Sequence, residues 1–406
     1  MESADYWGPE VLECPHAFHR ALRTESPVYE VPGAGYYLVT RYTDVQYVVM
    51  HPEVFSSNLI PALRGEHGGP TVLGFRAQGQ EPTDVLGTAD PPAHTRHRRL
   101  VTKILNVRRI ALLEPAIRAL AHQLVDAVAA RGAVELMEQF AVPLPLTIIT
   151  DLLALPRSDH ETLRLWSDVG VELLSGATTP ERLAQLNALT ADWFAYLGEH
   201  FDRHCQSPGD DLMGDLVRAT RDPEGAISRN EAIAMLVQLL SAGTETTTSL
   251  IGSAALRLLQ EPGALAAARR DHSVLANFIE ETLRLESPFY GHFRIAKTDT
   301  EIGGVRVPAG ARLLVLWSSG NRDDEQFADA ERFDPSRPNL RTHLGFGQGI
   351  HLCVGAPLAR LETRIALETL LDRLPGVRLA LDNDLRHVPS VFVRRLKKLH
   401  LEFSPA

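Results

Sequence analysis

The sequence predicts a mainly α protein with small β-sheets near its two ends. Three observations carry that prediction. Apolar residues recur at helical spacing from residue 93 to about 286. Short β-branched segments gather at residues 36–40 and after residue 294. No repeat, low-complexity tract or Gly/Ser/Pro-rich linker interrupts the 406 residues. Length alone allows two or three domains at about 150 residues each, but without a linker residues 1–406 read as one.

Taken in order, residues 36–40 follow Gly35 as a short strand, and Thr43 reads as the cap of a helix running towards Met50. Residues 57–90 hold six glycines and three prolines with no sustained period. A loop of that length in a compact chain is functional or disordered, and its apolar content (Leu59, Ile60, Leu63, Val72, Leu73, Phe75, Val85, Leu86) favours a lid or pocket wall. Pro143, Pro156, Pro180, Pro208 and Pro223 punctuate the helical region. A capping box, Ser228 with Glu231, opens a long helix to about Gln260. Residues 294–306 contain a Gly303-Gly304 turn, 312–317 are β-rich, one helix returns over 354–373, and the tail 388–403 alternates as a hairpin would.

Composition narrows the function. With 44% apolar and 23% charged residues the chain can bury a large core. A formal charge of −10 argues against nucleic-acid and anionic-membrane binding. Cys14, Cys205 and Cys353 are too few and too scattered for a disulfide framework and suit a reducing cytoplasm. The acidic start (Glu2, Asp5, Glu10, Glu13) is unlike a secretory signal. The longest apolar run, residues 232–240 with Gln238 inside it, is far short of the roughly 20 residues that span a bilayer. A cytoplasmic monomer is expected.

The chemistry concentrates at residues 343–360, His-Leu-Gly-Phe-Gly-Gln-Gly-Ile-His-Leu-Cys-Val-Gly-Ala-Pro-Leu-Ala-Arg. Gly345, Gly347, Gly349 and Gly355 around Cys353 let backbone approach a flat or bulky ligand. Pro357 and the stripe Leu358, Leu361, Ile365 put the cysteine just before a helix start, where the dipole and free N–H groups lower a thiol pKa. A phosphate loop is ruled out, since Ile350 stands where a third glycine is needed. His200, His204 and Cys205 have zinc-like spacing but no fourth ligand.

Phe346-Gly347-x-Gly-x-His351-x-Cys353-x-Gly355 resembles the haem-binding signature of the cytochrome P-450 superfamily, every fixed position matching. The resemblance implies the cytochrome P-450 fold, a triangular helix-rich prism around a buried haem b. Cys353 is then the thiolate ligand of the iron, whose electron donation favours O–O cleavage. By the same likeness His351, His94, Arg98 and Arg294 contact haem propionates, while Phe346, Gly347, Ala242 and Gly243 line the cofactor.

Further segments match. Asp90-Pro-Pro-Ala-His94-x-x-x-Arg98 places His94 and Arg98 four apart on one helix face, suited to gripping carboxylates. Glu281 and Arg284, three apart on a helix, are alone a pair worth a few tenths of a kcal/mol; they resemble the family's Glu-x-x-Arg pair, with Arg332 of the Glu-Arg-Phe-Asp-Pro segment completing the cluster. All three are expected to be structural. Residues 241–249, Ser-Ala-Gly-Thr-Glu-Thr-Thr-Thr-Ser, are weak helix formers; Gly243 alone costs roughly 1 kcal/mol relative to alanine. Propensity favours a break there. The likeness implies an oxygen-binding groove, with Gly243 leaving room above the iron, Thr246 as proton-relay hydroxyl and Glu245 as its acid.

Residues 91–113 carry six Lys or Arg and no acid. Arg96, Arg99 and Lys103 share the side opposite His94 and Arg98 and could steer an acidic partner, which the family implies is a ferredoxin or similar carrier passing electrons from NAD(P)H. Departures lie off the chemistry: Asn106-Val107 replaces an aromatic and a small polar residue, and Gly320 replaces a commoner alanine. The implied reaction is insertion of one atom of O2 into a mainly apolar organic substrate. Val85, Leu86, Gln238, Ser241, Phe289, Tyr290, Val391 and Phe392 are pocket candidates, and Arg64, His67 or Arg76 could meet an acid group. A peroxide-driven enzyme and a non-catalytic haem-thiolate sensor are the alternatives.

Overall fold

The computed structural model describes residues 8–32, 35–58, 83–174, 179–223 and 227–405. The lid expectation for residues 59–82, with Arg64, His67 and Arg76, lies outside them. In chain order the elements are α1 (Pro9–Glu13), α2 (His16–Glu25), β1 (Val28–Val31), β2 (Tyr36–Val39), α3 (Tyr42–Met50), β3 (Phe55–Ser56), α4 (Ala93–Ile104), α5 (Val107–Ala111), α6 (Glu114–Ala129), β4 (Ala133–Glu135), α7 (Pro143–Leu152), α8 (His160–Leu174), α9 (Pro180–Gln206), α10 (Leu212–Thr220), α11 (Arg229–Gln260), α12 (Ala264–Arg270), α13 (Leu275–Glu286), β5 (Gly291–Ala296), β6 (Thr300–Ile302), β7 (Val305–Val307), β8 (Arg312–Leu316), α14 (Trp317–Gly320), α15 (Ala356–Arg373), β9 (Arg378–Leu379) and β10 (His400–Glu402).

The helix α11 organises the molecule. Its capping box forms as the sequence predicts, with Ser228 Oγ accepting from the Glu231 amide and Glu231 accepting from the Ser228 amide. Apolar residues on most of its circumference are buried (Ile233, Leu236, Leu240, Leu250, Ile251, Leu258), the signature of a helix inside a core rather than upon one. Around it α7, α9, α13 and α15 close one large apolar cluster. The expected break at 241–249 does not occur: burial of Thr244, Thr247 and Thr248 and contact with neighbouring helices outweigh weak propensity.

The main sheet joins strands from residues 28–56 to strands from residues 291–316. Its order is β1-β2-β8-β5-β3, with β2 and β8 parallel and the other pairs antiparallel. One face packs α2 through Phe18 and Leu22, and the other packs α3 through Val45 and Val48. The 303–304 turn forms between β6 and β7.

Three local expectations are corrected. Arg41, not Thr43, is the cap position of α3, and no side chain caps it. The tail is no regular hairpin: only the His387–Leu396 bridge joins its limbs, because β10 pairs instead with β4 and β9. Arg294 is within β5 and does not start it. Asn106 explains one sequence departure, since its side chain accepts from the Arg109 amide at 2.9 Å and caps α5.

Candidate functional site

The cysteine loop is held by its own backbone. The Gly347 amide donates to Leu344 O at 2.8 Å and the Cys353 amide to Phe346 O at 2.9 Å. Gly347 and Gly349 adopt φ of 69° and 73°, and a Cβ on Gly349 would come within 2.5 Å of Val49 O. Phe346 is clamped beneath the Arg360 guanidinium, 4.5 Å from its ring centre. Ala356 begins α15, so the amides of Gly355 and Ala356 reach the Cys353 sulfur. The expected fall in thiol pKa is nevertheless overturned. Burial pushes it up more than the amides and the Arg98 and Arg360 charges pull it down. Cys353 keeps accessible surface although protein closely surrounds its sulfur.

Four of the predicted donors gather near this loop. His94 and His351 stand with ring centres 4.3 Å apart. Nε2 of each is buried without a hydrogen-bond partner. Desolvation holds His94 below the ordinary histidine range and His351 at about 2, with Arg294 and Arg98 adding repulsion. Arg294 is buried, and its only hydrogen bond among the described residues runs to the Phe293 carbonyl at 2.7 Å. Burial lowers its pKa to about 10 against the pull of Asp90, and no carboxylate among the described residues stands at ion-pair distance. Arg98 donates to the carbonyl of Leu352, beside the cysteine. A buried cation and two orphaned imidazoles around a cysteine suit a ligand that carries acid groups and takes a sulfur ligand. His292 joins this group. It lies on the Arg294 side of β5, close enough to lower His351 further, with its own pKa held at about 3.

Along α11, Thr246 Oγ1 donates back to Ala242 O at 2.8 Å, and Thr244 Oγ1 does likewise to Leu240 O. Ala242 is exposed and Thr246 half-buried, so that strip is the open one. Gly243 is turned elsewhere: the space a Cβ would take is met by Ile149 of α7 at 3.3 Å. Its missing side chain therefore serves helix contact, contrary to the expected role of clearing room above the iron. Glu245 is buried, with Oε2 3.0 Å from Arg395 Nη1 and Oε1 unpartnered. Burial pushes its carboxyl up to about 7, against the pull of Arg395 and with the help of Asp168.

The pocket candidates divide. Gln238 Oε1 accepts from the Gly87 amide at 3.3 Å, tying the end of the long loop to α11. Leu86 is buried in the large core, with Val85 packed against that core. Ser241 faces α8, 3.5 Å from where a Cβ on Gly170 would lie. Phe289 is 5.1 Å from His292 and stacks on Phe392 at 5.8 Å. Tyr290 and Val391 line a small cavity against Val11, Leu12 and His19, and the Tyr290 ring meets His16 edge-on.

Behind the cysteine loop, Glu281 and Arg284 are fully buried. Arg284 spends its five N–H groups on both Glu281 oxygens and on the carbonyls of Asn321, Ala330 and Arg332. The third side chain is not Arg332, whose guanidinium lies outside on Asp334. It is Arg337, donating to Glu281 at 3.1 Å. Arg332 has a half-buried acid two residues on and takes it. The sequence offered a signal for Arg337, a basic residue just past Phe-Asp-Pro.

The basic stripe is narrower than expected. Arg96 pairs with Glu231 at 3.0 Å and is neutralised, while Arg99, Lys103 and Arg108 are exposed. Among the described residues no group of three His, Cys, Asp or Glu could hold a metal ion, so the zinc-like spacing at 200–205 forms no site. No described helix is long and apolar enough to cross a membrane.

Comparison with known proteins gives a consistent result. The family model described as Cytochrome P450 matches residues 198–376. Cytochrome P450 107B1 of Saccharopolyspora erythraea is 39% identical, covering 96% of this chain and 97% of that protein. The 6-deoxyerythronolide B hydroxylase of the same organism is 37% identical, covering 89% of each. The solved structure of CYP109Q5 from Chondromyces apiculatus superposes with a TM-score of 0.86 at 35% identity, over 99% of this chain and 98% of that one.

Proposed function

The chain belongs to the cytochrome P450 family and is a monooxygenase of that family; from this premise we propose that it binds haem b against Cys353 and oxygenates a small-to-medium, mainly apolar substrate. One observation carries the reading: among the described residues Arg294 is buried without a carboxylate at ion-pair distance, beside two imidazoles with orphaned Nε2 atoms and the Cys353 sulfur. Haem b is chemically matched to that set, its two propionates to the cation and the N–H donors, its iron to the thiolate. When bound, haem supplies the redox iron at which O2 is activated, so that substrate, O2, two electrons and two protons give oxygenated product and water.

The chain's residues supply the rest. Amides of Gly355 and Ala356 hold the sulfur and temper its charge. Arg294, Arg98, His94 and His351 orient the cofactor through its acid groups. Thr246 and Ala242 form the open strip of α11, and the Thr246 hydroxyl can leave its bond to Ala242 O to hand on a proton. Glu245 is the acid beside it, poised by burial near neutral pH. Ser241, Phe289 and His292 border the substrate side, and Phe289 with Phe392 gives it apolar character. Residues 1–406 work as one unit in the cytoplasm.

Electrons come from NAD(P)H through an acidic ferredoxin-type carrier. Arg99, Lys103 and Arg108 are its landing charges, and Leu352, 47% exposed next to Cys353, is an apolar centre for the contact. Reconstitution with a ferredoxin, its reductase and NAD(P)H should oxidise a ligand selected by its shift of the haem spin state. Raising salt should slow that turnover, because steering by exposed charges is screened. Turnover by peroxide alone, with none from the carrier, would favour the peroxide-driven reading.

A further inference from the structure

Gly170 of α8 is a gap between α11 and a buried tryptophan. A Cβ placed there would stand 3.5 Å from Ser241 Oγ and 4.0 Å from Cζ3 of Trp193 on α9. Ser241 adjoins Ala242 on the open strip of α11. The missing side chain therefore lets the Trp193 indole come up to the border of the site.

From Trp193 the rings continue outward. Trp166 of α8 stacks on it, with planes 7° apart and centres 6.3 Å apart. Tyr196 of α9 meets Trp166 at 5.1 Å, and its hydroxyl donates to Asp159 Oδ2 at 2.6 Å. Trp193 and Trp166 are buried, whereas Tyr196 and Asp159 are half-buried at the outer end. Packing accounts for the tryptophan pair. A phenol tied to a water-facing carboxylate at the end of it adds a place for a proton to go.

The rings differ in what can happen to that proton. Trp193 Nε1 is buried with no acceptor among the described residues, so the indole keeps its proton when it loses an electron. Burial and the Asp159 carboxylate push the Tyr196 phenol well above its usual range, and the bonds from Tyr196 and Ser158 hold Asp159 below the usual carboxylate range. At neutral pH the phenol is protonated and its acceptor is ionised. A radical cation on the tryptophans is thus drawn outward to Tyr196, where electron loss and proton transfer occur together.

We propose that Trp193, Trp166 and Tyr196, with Asp159 as proton acceptor, form a relay that drains oxidising equivalents from the site when no substrate takes them. The relay rests on the monooxygenase reading, since its oxidant is the oxygen-charged cofactor of that reaction. Each transfer takes one electron from Tyr196 and breaks its O–H bond, the proton passing to Asp159, and the cofactor is reduced by one electron. A solvent thiol then gives a hydrogen atom to the tyrosyl radical, and Asp159 releases its proton to water. Two such electrons and two protons turn the retained oxygen atom into water, while two thiols become one disulfide.

The test needs no product. Ferric haem-loaded protein without substrate is mixed with peracetic acid, which supplies the oxygen atom, and frozen for electron paramagnetic resonance. The parent should give a tyrosyl radical. Tyr196→Phe should lose that signal and bleach its haem faster, and Trp166→Phe should weaken it by interrupting the route. Asp159→Asn, lacking an ionised acceptor, should cut its yield by about tenfold or more. A tyrosyl signal of parental size in Tyr196→Phe or Trp166→Phe, or none in the parent, with the thiolate carbon-monoxide band intact in each, would overturn the relay. A parent lacking that band would instead sink the haem-thiolate reading, and the relay would fall with it.

Discussion

Arg284 and Arg294 are both guanidiniums buried beside the cysteine loop, the first wholly inaccessible and the second 4% exposed. Arg284 gives all five N–H groups to acceptors, two of them on a carboxylate. Arg294 makes one hydrogen bond among the described residues, to a neighbouring carbonyl, and its pKa is forced down to about 10. Burying a charge is costly unless it is paired and bonded. Complete pairing at Arg284 therefore marks scaffold, and incomplete pairing at Arg294, His94, His351 and Glu245 marks the places where something else must bind or move.

The largest expected effect tests the scaffold half of that contrast. Arg284→Ala leaves the Glu281 carboxylate buried with, among the described residues, only Arg337 and the Asp334 amide, at a cost of about 3–5 kcal/mol. Chemical unfolding of the apoprotein should show that loss, with failure to retain haem following from it. A loss under 1 kcal/mol would contradict the assignment. The next effect tests the site half. Thr246→Ala should barely change stability, since the hydroxyl only bonds back to its own helix, but should cut product per electron consumed by about tenfold or more. Unchanged coupling, measured as product against NAD(P)H oxidised, would remove Thr246 from proton delivery.

The same contrast explains what was legible in the sequence. Cys353, the glycines about it, His94 with Arg98, and Glu281 with Arg284 were readable because short spacings on one loop or one helix fix their geometry. The long helix was readable from its capping box and periodicity. Arg332 was mistaken for Arg337 because sequence does not say which of two nearby arginines finds the nearby half-buried Asp334 and which the fully buried Glu281. Gly243 was misread because only the approach of Ile149 from α7 shows which way its Cα faces. Tyr290 and Val391 were put in the pocket because sequence does not show that α1 and α2 close over their side chains. Arg395 left no signal at all, since tail arginines read as surface and its partners lie on α8 and α11.

The haem-thiolate assignment of Cys353 is tested most directly by a carbon-monoxide difference spectrum of the reduced, haem-loaded protein, recorded beside Cys353→Ser. The parent protein should give the red-shifted Soret band of thiolate ligation, and the serine variant should lose it while keeping the fold. Absence of the band in the folded, haem-containing parent, or its persistence in the variant, would contradict the account.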